Sequence, residues 1–204
     1  MKERPILFPS PMVRAILDGR KTHTRRAIKP QPPAQFMSGD VAPITNGSHW
    51  SLSKMPGHIA WHPDPLPGIA CPYGQPGDRL WVRETWSTHK VFDHLQPCQL
   101  KANSFHYWAD GEIVTGKKRP SIHMPRWASR ITLEITGVRV ERLNDISETD
   151  ALAEGTTYLE LPSNALDPLK ARTWYRGLWE QINGAGSWAA NPWVFVIDFK
   201  RLIG

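Results

Sequence analysis

The stretch PILFPSPMVRAILDGRKTHTRR, residues 5–26, decides how the rest of the chain is read. Its apolar run at 5–8 predicts a strand. Ser10 and Pro11 then form the pair expected at a helix N-cap and first helical position. Met12, Val13, Ile16 and Leu17 fall on one side of a helix that stops at Gly19. Beyond it Thr22, Thr24 and Arg26 alternate with His23 and Arg25, as on a second strand, with Lys21 in the turn. A strand-helix-strand opening results, and it crowds Arg20, Lys21, Arg25 and Arg26 beside His23. Like charges this close repel, so the cluster needs a reason.

Downstream, most elements are strands. GDRLWVRETW predicts one with Leu80, Val82 and Glu84 facing one way and Trp81, Arg83 and Thr85 the other. SFHYWADGEIVTG predicts a hairpin turning at Asp110-Gly111. ASRITLEITGVRVERL predicts a long strand, or a pair broken at Gly137, with Ile131, Leu133 and Ile135 on one face. A short helix is expected at 147–154, capped by Ser147 and stopped by Gly155, and a longer one at about 170–182 with Trp174, Leu178, Trp179 and Ile182 at helical spacing. PWVFVIDFKRL closes the chain as a buried strand. Residues 29–76 hold many of the nineteen prolines and read as an irregular insertion. Long alternating helices and a Gly-rich phosphate loop are missing, which disfavours a doubly wound sheet. The expected class is α+β: a small mixed β-barrel with peripheral helices, one domain over 1–204, interrupted at about 29–76.

A chain of 204 residues, 40% hydrophobic, can bury a core, and its net charge of +6 favours an anionic partner. No apolar run approaches the roughly 18 residues needed to span a bilayer, and the N-terminus has no leader-like core, so a cytoplasmic protein is expected. Cys71 and Cys98 are too few for a disulfide scaffold. With His58 and His62 they lack the paired spacing of a zinc site, so no metal or cofactor is expected.

ILDGRKTHTRR, PGDRLWVRETW, ITGVRVERLNDISETDALAEG and the closing WVFVIDFKRL together resemble the ASCH domain family, particularly its larger phage and prophage members. The resemblance covers residues 5–27, 76–86 and 129–204 and implies a PUA-like fold. The family signature G-x-K-x-x-E-x-R reads here as Gly19, Lys21, Thr24 and Arg26, with threonine in place of glutamate. That departure is similar to a small bacterial branch that hydrolyses N4-acetylcytidine to cytidine and acetate. The resemblance to this branch implies Lys21 and Thr24 as catalytic residues, completed by a glutamate whose matching position is Glu154.

The residue chemistry suits that role. Amide cleavage needs a nucleophile, a proton carrier and a partner for the oxyanion. Thr24 offers the oxygen. Lys21 accepts its proton only when neutral, which neighbouring Arg20, Arg25 and Arg26 favour, with burial adding to the effect. Glu154, in the last turn of its helix, faces the negative end of the macrodipole, which is expected to raise its pKa and suit it to general acid work. Arg26 shares the Thr24 face and offers a partner for an anionic oxygen or phosphate. Arg20, Arg83 and Glu84 are further candidates for the pocket, Arg83 and Glu84 alternatively forming a structural ion pair. GKKRPSIHMPRW, residues 116–127, interleaves Lys117, Lys118, Arg119 and Arg126 with Trp127, the composition of a surface for single-stranded RNA. Trp86 and Trp108 also border basic residues. The expected partner is a nucleoside or single-stranded RNA. Two other classes stay open: a binding module without chemistry, and a phage accessory or assembly protein that uses the insertion for contact.

Overall fold

The structure, a computed structural model, describes residues 1–31, 42–43, 52–53, 70–100, 105–111, 116–156 and 170–202. Its spine is an antiparallel pair, β8 (Thr132–Arg142) and β9 (Trp193–Leu202), in register from Thr132 opposite Leu202 to Arg142 opposite Trp193. The register shifts between Ile135 and Gly137. This bulge sits at the predicted break, yet the strand continues through it. A Cβ on Gly137 would lie 2.7 Å from a carboxylate oxygen of Asp198, so only glycine lets that carboxylate lie so close to the backbone. β5 (Arg79–Arg83) pairs with β8, β1 (Glu3–Leu7) runs parallel to β5, and β2 (His23–Ala27) pairs with β9, giving the order β1-β5-β8-β9-β2.

The architecture is therefore mixed and mostly sheet. β1 and β2 end the order, and the described strand pairings do not join them. The Arg26 guanidinium spans the two ends, donating to the Leu7 carbonyl at 2.8 Å. Two short ribbons lie outside the main sheet: β3 (Ala42–Pro43) with β4 (Leu52–Ser53), and β6 (Trp86–Thr88) with β7 (Phe105–Tyr107). The hairpin expected at Asp110-Gly111 is replaced, as far as the described residues go, by the β6–β7 pairing, with Trp108–Asp110 in a single 3-10 turn. Most of the proline-rich 29–76 segment, with His58 and His62, lies outside the described residues.

β9 is buried on both faces, which explains its unbroken apolar run WVFVI. Phe195, Ile197 and Phe199 join Leu80, Leu133, Ile135 and the buried side of α1 (Ser10–Leu17) in the main core. Val194 and Val196 face the opposite way, onto α2 (Glu148–Ala153) and α3 (Lys170–Asn183), where Ala151, Tyr175 and Trp179 close a second core. A third cluster packs Trp86 with Leu100, Met124 and Ala128 beneath the β6–β7 ribbon. Pro9, not Ser10, occupies the N-cap of α1, and no side chain caps it. The helix starts one residue early because Pro9 supplies the extended backbone of a cap and Pro11, within the first turn, has no N–H to satisfy. Ser147 does cap α2, accepting from the Asp150 N–H.

Candidate functional site

Three chain ends meet at residues 19–22. The N–H groups of Arg20 and Lys21 both donate to the Ala15 carbonyl at the end of α1, Thr22 donates to Ala153 at the end of α2, and the Thr22 carbonyl accepts from Phe199 in β9. Lys21 and Glu154 form an isolated antiparallel bridge. Gly155 makes this approach possible. Its φ of +106° is strained for other residues, and a Cβ there would fall 2.8 Å from the Ala15 Cβ and 3.0 Å from the Lys21 Cβ.

Beside this junction opens a small cleft of about 90 Å³. Lys21, Thr24, Arg25, Arg26 and Glu154 line its polar side; Phe8 and the α3 residues Tyr175, Leu178 and Trp179 line its apolar side. Glu154 ties two of the cleft's cations together. One carboxylate oxygen accepts from the Lys21 ammonium at 2.7 Å and the other from Arg25 at 3.3 Å. Lys21 also donates to the carbonyls of Glu154 at 2.9 Å and His23 at 2.8 Å, so all three ammonium donors are engaged. Its partner on β2 is thus the His23 carbonyl, while Thr24 is a further residue lining the cleft.

The crowded charges are resolved one by one. Arg25, its side chain fully buried, divides its guanidinium among Glu154, Glu141 at 3.2 Å and Asp150 at 3.1 Å. Arg20 donates to the Gly155 carbonyl and pairs with Asp18. Arg26 lies over the Phe8 ring at 5.3 Å and the Tyr73 ring at 5.9 Å. Beyond Arg25, Glu141 pairs with Arg139, which holds Asp198, which in turn pairs with His23 at 3.0 Å. Burial is the main force holding Lys21 below its ordinary pKa; the Glu154 charge and hydrogen bond oppose it, and Arg26 and Arg25 add smaller downward pushes. The sequence reading gave the arginines the larger share. Arg20 and Arg25 have carboxylate partners of their own, whereas Arg26 rests on a carbonyl and two rings and is the stronger of the two pushes.

The remaining candidates lie elsewhere. Glu84 is buried against Arg130, a two-pronged pair at 3.0 and 3.1 Å, and Arg130 also grips Asp110. Burial raises the Glu84 pKa against the pull of Arg130. The structural ion pair exists, but its cation is Arg130. Arg83 stacks over Trp81 at 4.7 Å and donates to the Ile122 carbonyl; neither Arg83 nor Glu84 lines the cleft. In the 116–127 stretch, Arg119 is buried, with its guanidinium on the carbonyls of Leu95 and Phe92 and over the Trp86 ring. It is therefore a packing residue, because both of its terminal nitrogens are spent inside the fold. Arg126 pairs with Glu3. Lys117 and Lys118 are exposed, Lys118 over Trp108 at 4.6 Å, and Trp127 is 43% exposed against Phe105 and Trp86. Trp86 itself is fully buried and offers no face to a base.

The sequence shows Arg25 only as a charge beside Lys21 and gives no sign of its three carboxylates, and Tyr175 is a site residue it does not single out. Tyr175 precedes Leu178 and Trp179 by three and four residues, so the helical stripe was its only signal. Among the described residues no group of three or more His, Cys, Asp or Glu side chains is arranged to hold a metal, and no helix is long and apolar enough to cross a membrane.

No protein-family model and no curated protein matches this chain. Among solved structures it is similar to an ASCH domain from Lactobacillus crispatus JV V101, at 13% identity over 93% of this chain and 70% of that one, with a TM-score of 0.35. What the cleft does has to follow from its own residues.

Proposed function

We propose that this chain is an ASCH-type, PUA-like protein that binds a nucleobase in the Lys21–Glu154 cleft and removes an N-acyl group from a modified cytidine of the N4-acetylcytidine type. One observation carries the reading: a buried lysine and glutamate 2.7 Å apart share a cleft with Thr24 and an aromatic wall suited to a flat ring.

In the reactive state the proton between the pair resides on Glu154 and Lys21 is neutral. Lys21 takes the Thr24 proton as the hydroxyl oxygen attacks the acyl carbon, and the carbonyl electrons move onto oxygen. When the tetrahedral adduct collapses, the bond from carbon to N4 breaks and Glu154 gives its proton to N4, releasing the cytidine amine. Water then attacks the acyl-threonine and passes a proton to Glu154, while Lys21 returns its proton to the Thr24 oxygen. The carboxylic acid leaves and the starting state is restored. Arg25 keeps the Glu154 carboxylate aimed throughout.

A second reading is favoured by the three hydrogen bonds that saturate Lys21. A fully engaged ammonium suits a rigid recognition pocket, which would make the chain an RNA-binding module without chemistry. The test is acetate release from N4-acetylcytidine by purified protein without added metal. Folded protein that binds cytidine derivatives but turns over none of a panel of acylated nucleosides sinks the hydrolase reading and leaves the binding module.

A further inference from the structure

The scheme above assigns a base, a nucleophile and an acid but leaves the developing oxyanion without a committed donor. Tyr175 is the one cleft residue with an O–H that the scheme does not use. It is buried, and its ring is held by Trp179 at 6.3 Å and Trp188 at 6.4 Å between centroids, so its hydroxyl has a fixed position. It lines the same cleft as Glu154, whose charge acts on it. Arg26, the other cation on the cleft, is committed to the Leu7 carbonyl and to two aromatic rings.

We infer that Tyr175 is the oxyanion donor of the cleft, its O–H donating to the acyl oxygen as the tetrahedral adduct forms. This rests on the hydrolase reading of the same site. Burial, reinforced by the Glu154 charge, holds the phenol well above its ordinary pKa, so it stays a donor and does not compete with Lys21 as a base. A fixed donor needs no reorganisation when charge appears, which is where such groups gain their effect. The assignment also narrows the substrate: the transferred acyl group must carry a carbonyl oxygen able to take a strong hydrogen bond, as an amide does and a thioamide does poorly.

The test compares wild type with Tyr175→Phe on N4-acetylcytidine. The variant keeps the ring and its packing, so thermal unfolding should be unchanged while kcat falls roughly 100- to 1,000-fold with KM nearly constant. The ratio of wild type to variant should shrink on the thioacetyl analogue. Should the variant be unstable, 3-fluorotyrosine at position 175 keeps the hydroxyl but makes it more acidic, and the alkaline limb of kcat should move to lower pH. Active wild type with a Tyr175→Phe kcat within about threefold, or an unmoved alkaline limb, overturns the assignment and spares the hydrolase reading. Wild type that turns over no acylated nucleoside overturns both.

Discussion

The Lys21 ammonium and the Glu154 carboxylate, 133 residues apart in sequence, meet at 2.7 Å with side chains 1% and 3% exposed. A pair this deeply buried costs a great deal to leave half made. Removing one partner strands a buried charge, so Lys21→Met or Glu154→Leu alone should destabilise by roughly 3–5 kcal/mol. The double variant should lose clearly less than the sum of the two. Urea unfolding of all four proteins gives the coupling; additive losses would show that the pair is not a unit.

The pH dependence of stability has a definite sign. Lys21 is held below its ordinary value of 10.5, so between the lowered value and 10.5 the unfolded chain carries a proton that the folded chain has released. Stability from this group therefore rises with pH across that window, and the full cost of the buried ammonium is present below it. The stability difference between wild type and Lys21→Met should shift in favour of wild type as pH is raised from neutral toward 10. A difference that is flat, or that moves the other way, contradicts the burial-dominated account.

The basic stretch at 116–127 divides into two kinds of residue. Lys117 and Lys118 are exposed, whereas Arg119 spends its guanidinium on the Leu95 and Phe92 carbonyls at 3.1 and 3.0 Å. If the stretch tracks single-stranded RNA, replacing both lysines with alanine should lower the slope of log affinity against log salt by about 1.4, at about 0.7 per phosphate contact, with unfolding unchanged. Arg119→Ala should instead cost about 3 kcal/mol in unfolding, for two charge-assisted hydrogen bonds. An RNA affinity indifferent to salt would remove the phosphate-tracking role altogether.

How far the sequence foretold this depends on the distance over which each feature is decided. The strands at 79–83, 132–142 and 193–202 were legible because β-branched and aromatic runs set them locally, and Ser147 and Gly155 marked α2 for the same reason. Lys21, Thr24 and Glu154 line one cleft. Arg25 was legible only as one charge in a cluster, because its carboxylates come from 116, 125 and 129 residues away. Arg119 misled for the reverse reason: lysines on one side and a tryptophan nearby look the same whether the arginine faces water or the Trp86 ring.

Catalysis, if the cleft performs it, must fail in a pattern set by these three side chains. Lys21→Ala removes the base, Thr24→Ala the nucleophile and Glu154→Ala the proton donor, and each should lose on the order of a hundredfold or more of kcat. Because two of these also break the buried pair, loss of activity has to be read on protein shown to be folded by circular dichroism at the assay temperature. The conservative variants separate chemistry from packing. Thr24→Ser keeps a hydroxyl and should retain measurable turnover. Lys21→Arg keeps the positive charge but cannot be neutral at working pH, so it should be folded and inactive. Thr24→Ala that matches wild type would transfer the nucleophilic role to water activated by Lys21, and active Lys21→Arg would remove lysine from the proton path, leaving Glu154 as the base.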